Sequence, residues 1–235
     1  MDALTLVTTE PELAALFFDV DGVLAPIVPR PEDSSVAPET RRELERLVQR
    51  YALVACVTGR TSEVARAIVG VDSLRYVGQH GLELEPAAVG WADRVHAFAR
   101  AWPWEWQETK PLTAAYHYRQ APDETEARTK LEGIATAALA EGLRTRWGRM
   151  VLEVLPPVDA TKGTAVRHLL EESGLRRALY AGDDTTDLDG FAALDGLDAA
   201  VRVAVVSAEG PSALGERADV IVGSTDAFLG LLQRL

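Results

Sequence analysis

The chain has 235 residues, of which 47% are hydrophobic, and a formal net charge of -12 at pH 7. That length allows one large domain or two small ones with a sizeable core, and the acidic balance argues against a nucleic-acid or anionic-membrane partner. A small anionic substrate remains open, provided a cation, lysines or backbone amides gather it locally.

In chain order, the start "MDALTLVTTEPELAAL" lacks a basic stretch followed by a long apolar core, and no run reaches the length of a membrane span. A cytoplasmic location is therefore expected, and separately the chain is expected to be a monomer. "ALFFDV" reads as a buried strand running into Asp19 and Asp21. "APETRRELERLVQRY" reads as a helix with Leu44, Leu47 and Val48 on one stripe. "ALVACVTG" is a strand holding the one cysteine, Cys56, so no internal disulfide framework exists. "SEVARAIVG" is a helix and "LRYVGQHG" a further strand.

The pattern then changes. "WEWQETK" and "TAAYHYR" alternate as two half-buried antiparallel strands around "PL". "DETEARTKLEGIATAALAEGL" is a long helix with Leu131, Ile134, Ala138 and Leu139 inward, and "RMVLEVLPP" is a strand closed by a double proline. Beyond it, "KGTAVRHLLEESG" is a helix with Val166, Leu169 and Leu170 inward. It leads into the strand "RRALYAGDD", and "VRVAVV" and "DVIVG" are further strands. Runs apolar throughout and joined by helices predict an α/β fold, a doubly wound parallel-sheet core over residues 1–85 and 158–235. An α+β insertion over residues 86–157 interrupts it.

Ligands of open parallel sheets bind beyond the carboxyl ends of the strands, and polar residues gather at just those ends. Asp19 and Asp21 follow "ALFF", Thr58 follows "ALVACV", Asp183 and Asp184 follow "RRALYAG", and Lys162 opens a helix. The strand period of two points Asp19 and Asp21 to the same side, one to attack and one to move a proton. Like charges so close call for a cation, and hard oxygen ligands suit Mg²⁺. Thr58 and Lys162 would neutralise phosphate oxygens. Each motif alone has an ordinary explanation: "DG" as a turn, "TGR" as a strand-to-helix turn, "GDDTTD" as a helix cap. All four in order, each at a strand end or helix start, favour chemistry.

"DVDGVL", "VTGR", "TKGTA" and "GDDTTD" resemble the four motifs of the haloacid dehalogenase superfamily of phosphohydrolases. With "GQHGLELE", "ETKPLTAAYHYR" and "LEVLPPVDATKGTAV", the chain from about Phe17 to Phe191 is similar to the trehalose-6-phosphate phosphatases. The resemblance implies a Rossmann-like core with an inserted cap that closes over the sugar, hinged near Glu85–Gly90 and Pro156–Ala160. It implies Asp19 as nucleophile, Asp21 as general acid and base, and Thr58 and Lys162 as stabilisers of phosphoryl charge. Mg²⁺ would sit on Asp19, the Asp21 carbonyl and Asp183, with Asp184 and Asp187 behind them. Arg60, His80, Lys110, His117, Arg119 and Glu153 fall where such enzymes meet substrate, although Lys110 and Glu153 could equally pair with each other. Trp102, Trp104 and Trp106 fit either sugar stacking or the cap core. Two positions depart from the family's habit, Val23 in place of Thr and Leu188 in place of Glu, and both bear on substrate detail. The substrate is thus expected to be a small sugar phosphate, trehalose 6-phosphate first. Sucrose phosphate, a mannosyl-phosphoglycerate and a trehalose-like pseudo-disaccharide phosphate are the rivals, and a non-catalytic sugar-phosphate-binding regulator stands further off.

Overall fold

The computed structural model describes residues 3–207 and 210–235. Its strands are β1 (Ala14–Phe18), β2 (Leu53–Val57), β3 (Arg75–Val77), β4 (Gln107–Thr109), β5 (Ala114–His117), β6 (Arg144–Gly148), β7 (Val151–Leu155), β8 (Arg177–Gly182), β9 (Ala199–Val205) and β10 (Val220–Val222). The chain divides into two compact units, Met1–Gly81 with Ala160–Leu235, and Leu82–Asp159.

The first unit is built on a six-stranded parallel sheet in the order β10-β9-β8-β1-β2-β3. Every residue of β1 is buried because helices cover both faces. Leu16 and Phe18 enter a cluster with Leu44 and Leu47 of helix Pro38–Arg50 and with Phe228 and Leu231 of helix Thr225–Leu232. The rings of Phe18 and Phe228 meet edge to face at 5.7 Å. Tyr180, whose strand neighbours Leu179 and Ala181 join that cluster, turns the other way and meets Phe191 of helix Asp187–Ala193 at 6.0 Å.

Strand order reverses between β1 and β8, the point at which open α/β sheets bind their ligands. Register makes the neighbouring strands finish level there. Phe18 lies opposite Cys56 on β2 and Ala181 on β8. The Asp19 N–H then donates to the Ala181 carbonyl, and the Thr58 N–H to that of Val77, both at 3.0 Å.

The second unit is a four-stranded antiparallel sheet in the order β4-β5-β7-β6. Ala114, Tyr116, Leu152 and Val154 pack one face against Val95 and Phe98 of helix Ala92–Ala101 and Leu131, Ile134 and Ala138 of helix Glu124–Ala140. Leu139, expected inward, is 58% exposed, one residue past that stripe. On the other face, register sets Glu108, Ala115, Glu153 and Arg146 abreast across all four strands.

The parallel core and the inserted α+β sheet match the fold class expected from the patterning. The insertion holds more than its pattern announced, namely β6 and helix Ala92–Ala101. β6 reads Arg-Thr-Arg-Trp-Gly, an edge strand with none of the apolar alternation that marks a strand in sequence. The expected strand "LRYVGQHG" is short, because the chain leaves β3 at Val77 and turns through Gln79, His80 and Gly81 at φ of 50°, 55° and 97°. Trp104 packs on the core of the second unit and donates its indole N–H to the His117 carbonyl at 2.7 Å, whereas Trp102 stacks on Phe98 and stays 41% exposed.

Candidate active site

β1 stops at Phe18, so Asp19 and Asp21 project from the turn that follows rather than from a strand face. That turn is closed by the Gly22 N–H on the Ala25 carbonyl at 2.7 Å and by the Ala25 N–H on the Val20 carbonyl at 2.8 Å. Gly22 sits at φ 84°, where a Cβ would come within 2.1 Å of the Asp183 carboxylate. Glycine is what lets the end of β8 approach this turn.

Asp19 is buried and tightly held. Its Oδ1 accepts from the Val20 N–H at 2.7 Å, and its Oδ2 accepts from the Lys162 Nζ at 2.5 Å. Burial pushes its carboxyl up to about 7, against the pull of the Lys162 charge. Lys162 is the first residue of helix Lys162–Ser173, which Thr161 caps in a reciprocal capping box with Thr164. Burial alone would lower its ammonium, but Asp187 and Asp19 outweigh burial and hold it charged.

Asp187 is the organiser behind this pair. Its Oδ1 accepts from Lys162 Nζ and from the buried Tyr180 hydroxyl, each at 2.7 Å, and its Oδ2 accepts from the N–H groups of Asp183 and Asp184, each at 2.9 Å. Four bonds use the lone-pair sites of one carboxylate. Ligand oxygens of Asp19, Asp183 and Asp187 lie within 4.8 Å of one another, all buried. With Asp187 saturated, Asp19 and Asp183 supply carboxylate oxygens for a cation. Three buried carboxylates against one buried ammonium leave negative charge to balance, and an all-oxygen set fits a hard divalent ion. Asp184, half-buried, turns its Oδ1 to the Thr185 N–H at 2.7 Å.

Asp21 belongs to a different set of bonds. Arg60 donates to it through both arms of the guanidinium, Nε to Oδ2 at 2.5 Å and Nη2 to Oδ1 at 2.8 Å, and the Ser34 hydroxyl adds a bond of 3.0 Å. Arg60 also donates to the Pro31 carbonyl, tying down the segment after the turn. Thr58 is buried, and its Oγ1 accepts from the Arg60 N–H at 3.3 Å. The His80 ring lies on Gly59, where a Cβ would meet its Nε2 at 2.5 Å, so the backbone turn at Gln79–His80 presses an imidazole onto the "TGR" loop. Consecutive left-handed residues other than glycine are costly, and such strain concentrates at functional sites.

The remaining expected residues lie in the second unit. Lys110 Nζ reaches Glu153 Oε1 at 3.3 Å and Glu108 Oε2 at 3.9 Å, and His117 Nε2 lies 3.2 Å from that same Glu108 oxygen. Arg119, half-buried, follows just past the end of β5. Sequence reasoning passed over Tyr180, Ser34 and Arg146. Arg146 Nη1 stands 3.9 Å from Glu153 Oε2, and only the pairing of β6 with β7 brings it there.

A family model for trehalose-phosphatase matches residues 17–105 and 94–216. The chain belongs to the trehalose-phosphatase family. The trehalose-phosphate phosphatase of Mycolicibacterium paratuberculosis is 33% identical over 207 residues, covering 77% of this chain and 51% of the relative. The chain spans about half the length of the curated relatives it matches first. A solved trehalose-6-phosphate phosphatase related protein is 26% identical with a TM-score of 0.73, over 93% of this chain and 95% of that one. The C-terminal domain of the C. albicans trehalose-6-phosphate phosphatase shares the fold at 20% identity, with a TM-score of 0.78 over 99% and 95% of the two chains. Among the described residues no helix is long and apolar enough to cross a membrane.

Proposed function

We propose that this member of the trehalose-phosphatase family is a Mg²⁺-dependent phosphomonoester hydrolase that converts trehalose 6-phosphate to trehalose and phosphate. The observation that carries it is the buried Asp19–Lys162–Asp187 relay at the reversal of strand order, with Asp21 beside it on separate partners. Family membership and the trehalose-phosphate phosphatases among its relatives support the substrate.

An Asp19 carboxylate oxygen attacks phosphorus and forms an aspartyl-phosphate as the bond from phosphorus to the sugar oxygen breaks. Asp21 gives a proton to that leaving oxygen, then takes one from the water that attacks phosphorus and releases phosphate. Lys162 and Thr58 stabilise charge on the transferring group, the main burden in phosphoryl transfer. Mg²⁺ would be held by the Asp19 and Asp183 carboxylates and the Asp21 carbonyl, and it would neutralise phosphate oxygens. Arg60 holds Asp21 in place, and His80 supports the loop that carries Thr58. Lys110, His117, Arg119 and Glu153 are assigned to the sugar hydroxyls, on a sheet face with alternating charge.

The test is phosphate release, with and without Mg²⁺, from trehalose 6-phosphate, sucrose 6-phosphate, glucose 6-phosphate, glucose 1-phosphate and a mannosyl-phosphoglycerate. Metal-dependent release with a strong preference for trehalose 6-phosphate is expected. A preference for another member overturns the substrate, and no release from any overturns the activity.

A further inference from the structure

The face of the antiparallel sheet opposite its helices carries a continuous charge ladder. From β5 to β6 it runs His117, Glu108, Lys110, Glu153, Arg146, with neighbouring groups 3.2, 3.9, 3.3 and 3.9 Å apart. In its middle stands Ala115, opposite Glu108 on one side and Glu153 on the other, so the ladder crosses a point with only a methyl side chain.

Glu153 is the sensitive member. Its side chain is 8% exposed, and a carboxylate that deep needs compensating charge to stay ionised. Lys110 provides one cation, on Oε1. Were it the only one, a ligand hydroxyl drawing the ammonium away would strand Glu153. Arg146 supplies a further cation, on Oε2, from the outermost strand of the sheet. Its side chain is 19% exposed, and the register Arg146↔Glu153 places it there. Guanidinium is charged at every working pH.

We propose that Arg146 is the positioning residue for sugar recognition on this face: it holds Glu153 aimed past Ala115 while Lys110 turns to the ligand. Lys110 and Glu153 then meet neighbouring hydroxyls as donor and acceptor. The site takes an uncharged polyol ring, and it sets the preference for a disaccharide phosphate over a monosaccharide phosphate. This inference rests on the functional reading above, which it deepens.

The experiment compares Arg146→Met, Arg146→Lys, Glu153→Gln and the double variant Arg146→Met/Glu153→Gln, using trehalose 6-phosphate and glucose 6-phosphate with Mg²⁺. Arg146→Met should raise KM for trehalose 6-phosphate by about tenfold with kcat within about twofold, the pattern of lost uniform binding. KM for glucose 6-phosphate should not move, and Arg146→Lys should recover most of the loss. In the Glu153→Gln background, Arg146→Met should add less than about twofold, because the two residues act as one unit. Trehalose itself, titrated by NMR, should bind Arg146→Met about tenfold more weakly than wild type. An unchanged KM ratio in Arg146→Met, an equal shift for both substrates, or full additivity with Glu153→Gln overturns the proposal. If Arg146→Met does not fold, Arg146→Lys and Glu153→Gln decide, since a ratio unmoved in Glu153→Gln leaves Arg146 nothing to position. Wild type without a disaccharide preference refutes the functional reading instead, so the two failures are distinguishable.

Discussion

Replacing Asp19 should stabilise the protein at neutral pH. Asp19 is held up to about 7 from an ordinary 3.8 because its burial penalises the charged form more than Lys162 favours it. In the metal-free protein above pH 7, that mismatch costs about 4 kcal/mol relative to a neutral side chain. Asn keeps the shape and the acceptor facing Lys162, but it places amide donors near an ammonium, so the net gain of Asp19→Asn should be on the order of 2 kcal/mol. For a chain of this size that raises Tm by about 4–8 °C. The sign with pH follows from linkage. A raised folded pKa gives stability that is present below 3.8 and lost as pH climbs through about 7. Asp19→Asn should therefore be less stable than wild type by about 2 kcal/mol at the acid end, cross it between those two values, and stay above it by about the same amount beyond about 7. The assay is calorimetric unfolding in EDTA across pH 4.5–8.5, following the transition of the unit that holds β1, then repeated with Mg²⁺. Added Mg²⁺ should raise Tm of wild type and do little for the variant, closing the gap. A variant less stable than wild type at pH 8 without metal, or a gap that ignores pH, refutes the reasoning.

Lys162→Met strands Asp19 and Asp187 without their shared cation and should cost about 3–5 kcal/mol in unfolding experiments, with activity down by about a thousandfold or more. Arg60→Met releases Asp21 from its two-armed clamp; kcat should fall roughly tenfold to a hundredfold for sugar phosphates, and much less for p-nitrophenyl phosphate, whose leaving group needs no proton. Gly22→Ala meets both a left-handed backbone and the Asp183 carboxylate, so it should destabilise by more than about 1 kcal/mol and raise the Mg²⁺ concentration for half-maximal activity.

Legibility followed the physics of each element. β1, β2, β8 and β9 are mostly buried, so apart from Arg177 and Arg202 their sequences are apolar runs that announce themselves. Level strand ends then follow from parallel pairing, and the acids, Thr58 and Lys162 were readable as a set. β6 was not, because an edge strand with a charged face looks like a loop. Arg146 went with it, since its only recommendation is a register partner. The same limit applies to Arg60, whose hold on Asp21 depends on how the turn after β1 folds back. Asp187 was readable as an acid near Lys162, but its four acceptor bonds, two of them from backbone N–H groups of its own loop, appear only once that loop is built. The placement of Asp19 and Asp21 was anticipated for the wrong reason: strand alternation does not operate past Phe18, and the turn closed at Ala25 orients them instead.

The most direct test of the double displacement at Asp19 is the configuration at phosphorus in the thiophosphate released, in isotopically labelled water, from trehalose 6-phosphorothioate made chiral with an oxygen isotope. Attack by Asp19 followed by attack by water inverts twice, so net retention is predicted. Net inversion would mean that water attacks the substrate directly and that Asp19 is no nucleophile, and the absence of any release from trehalose 6-phosphate itself would contradict the account at its root.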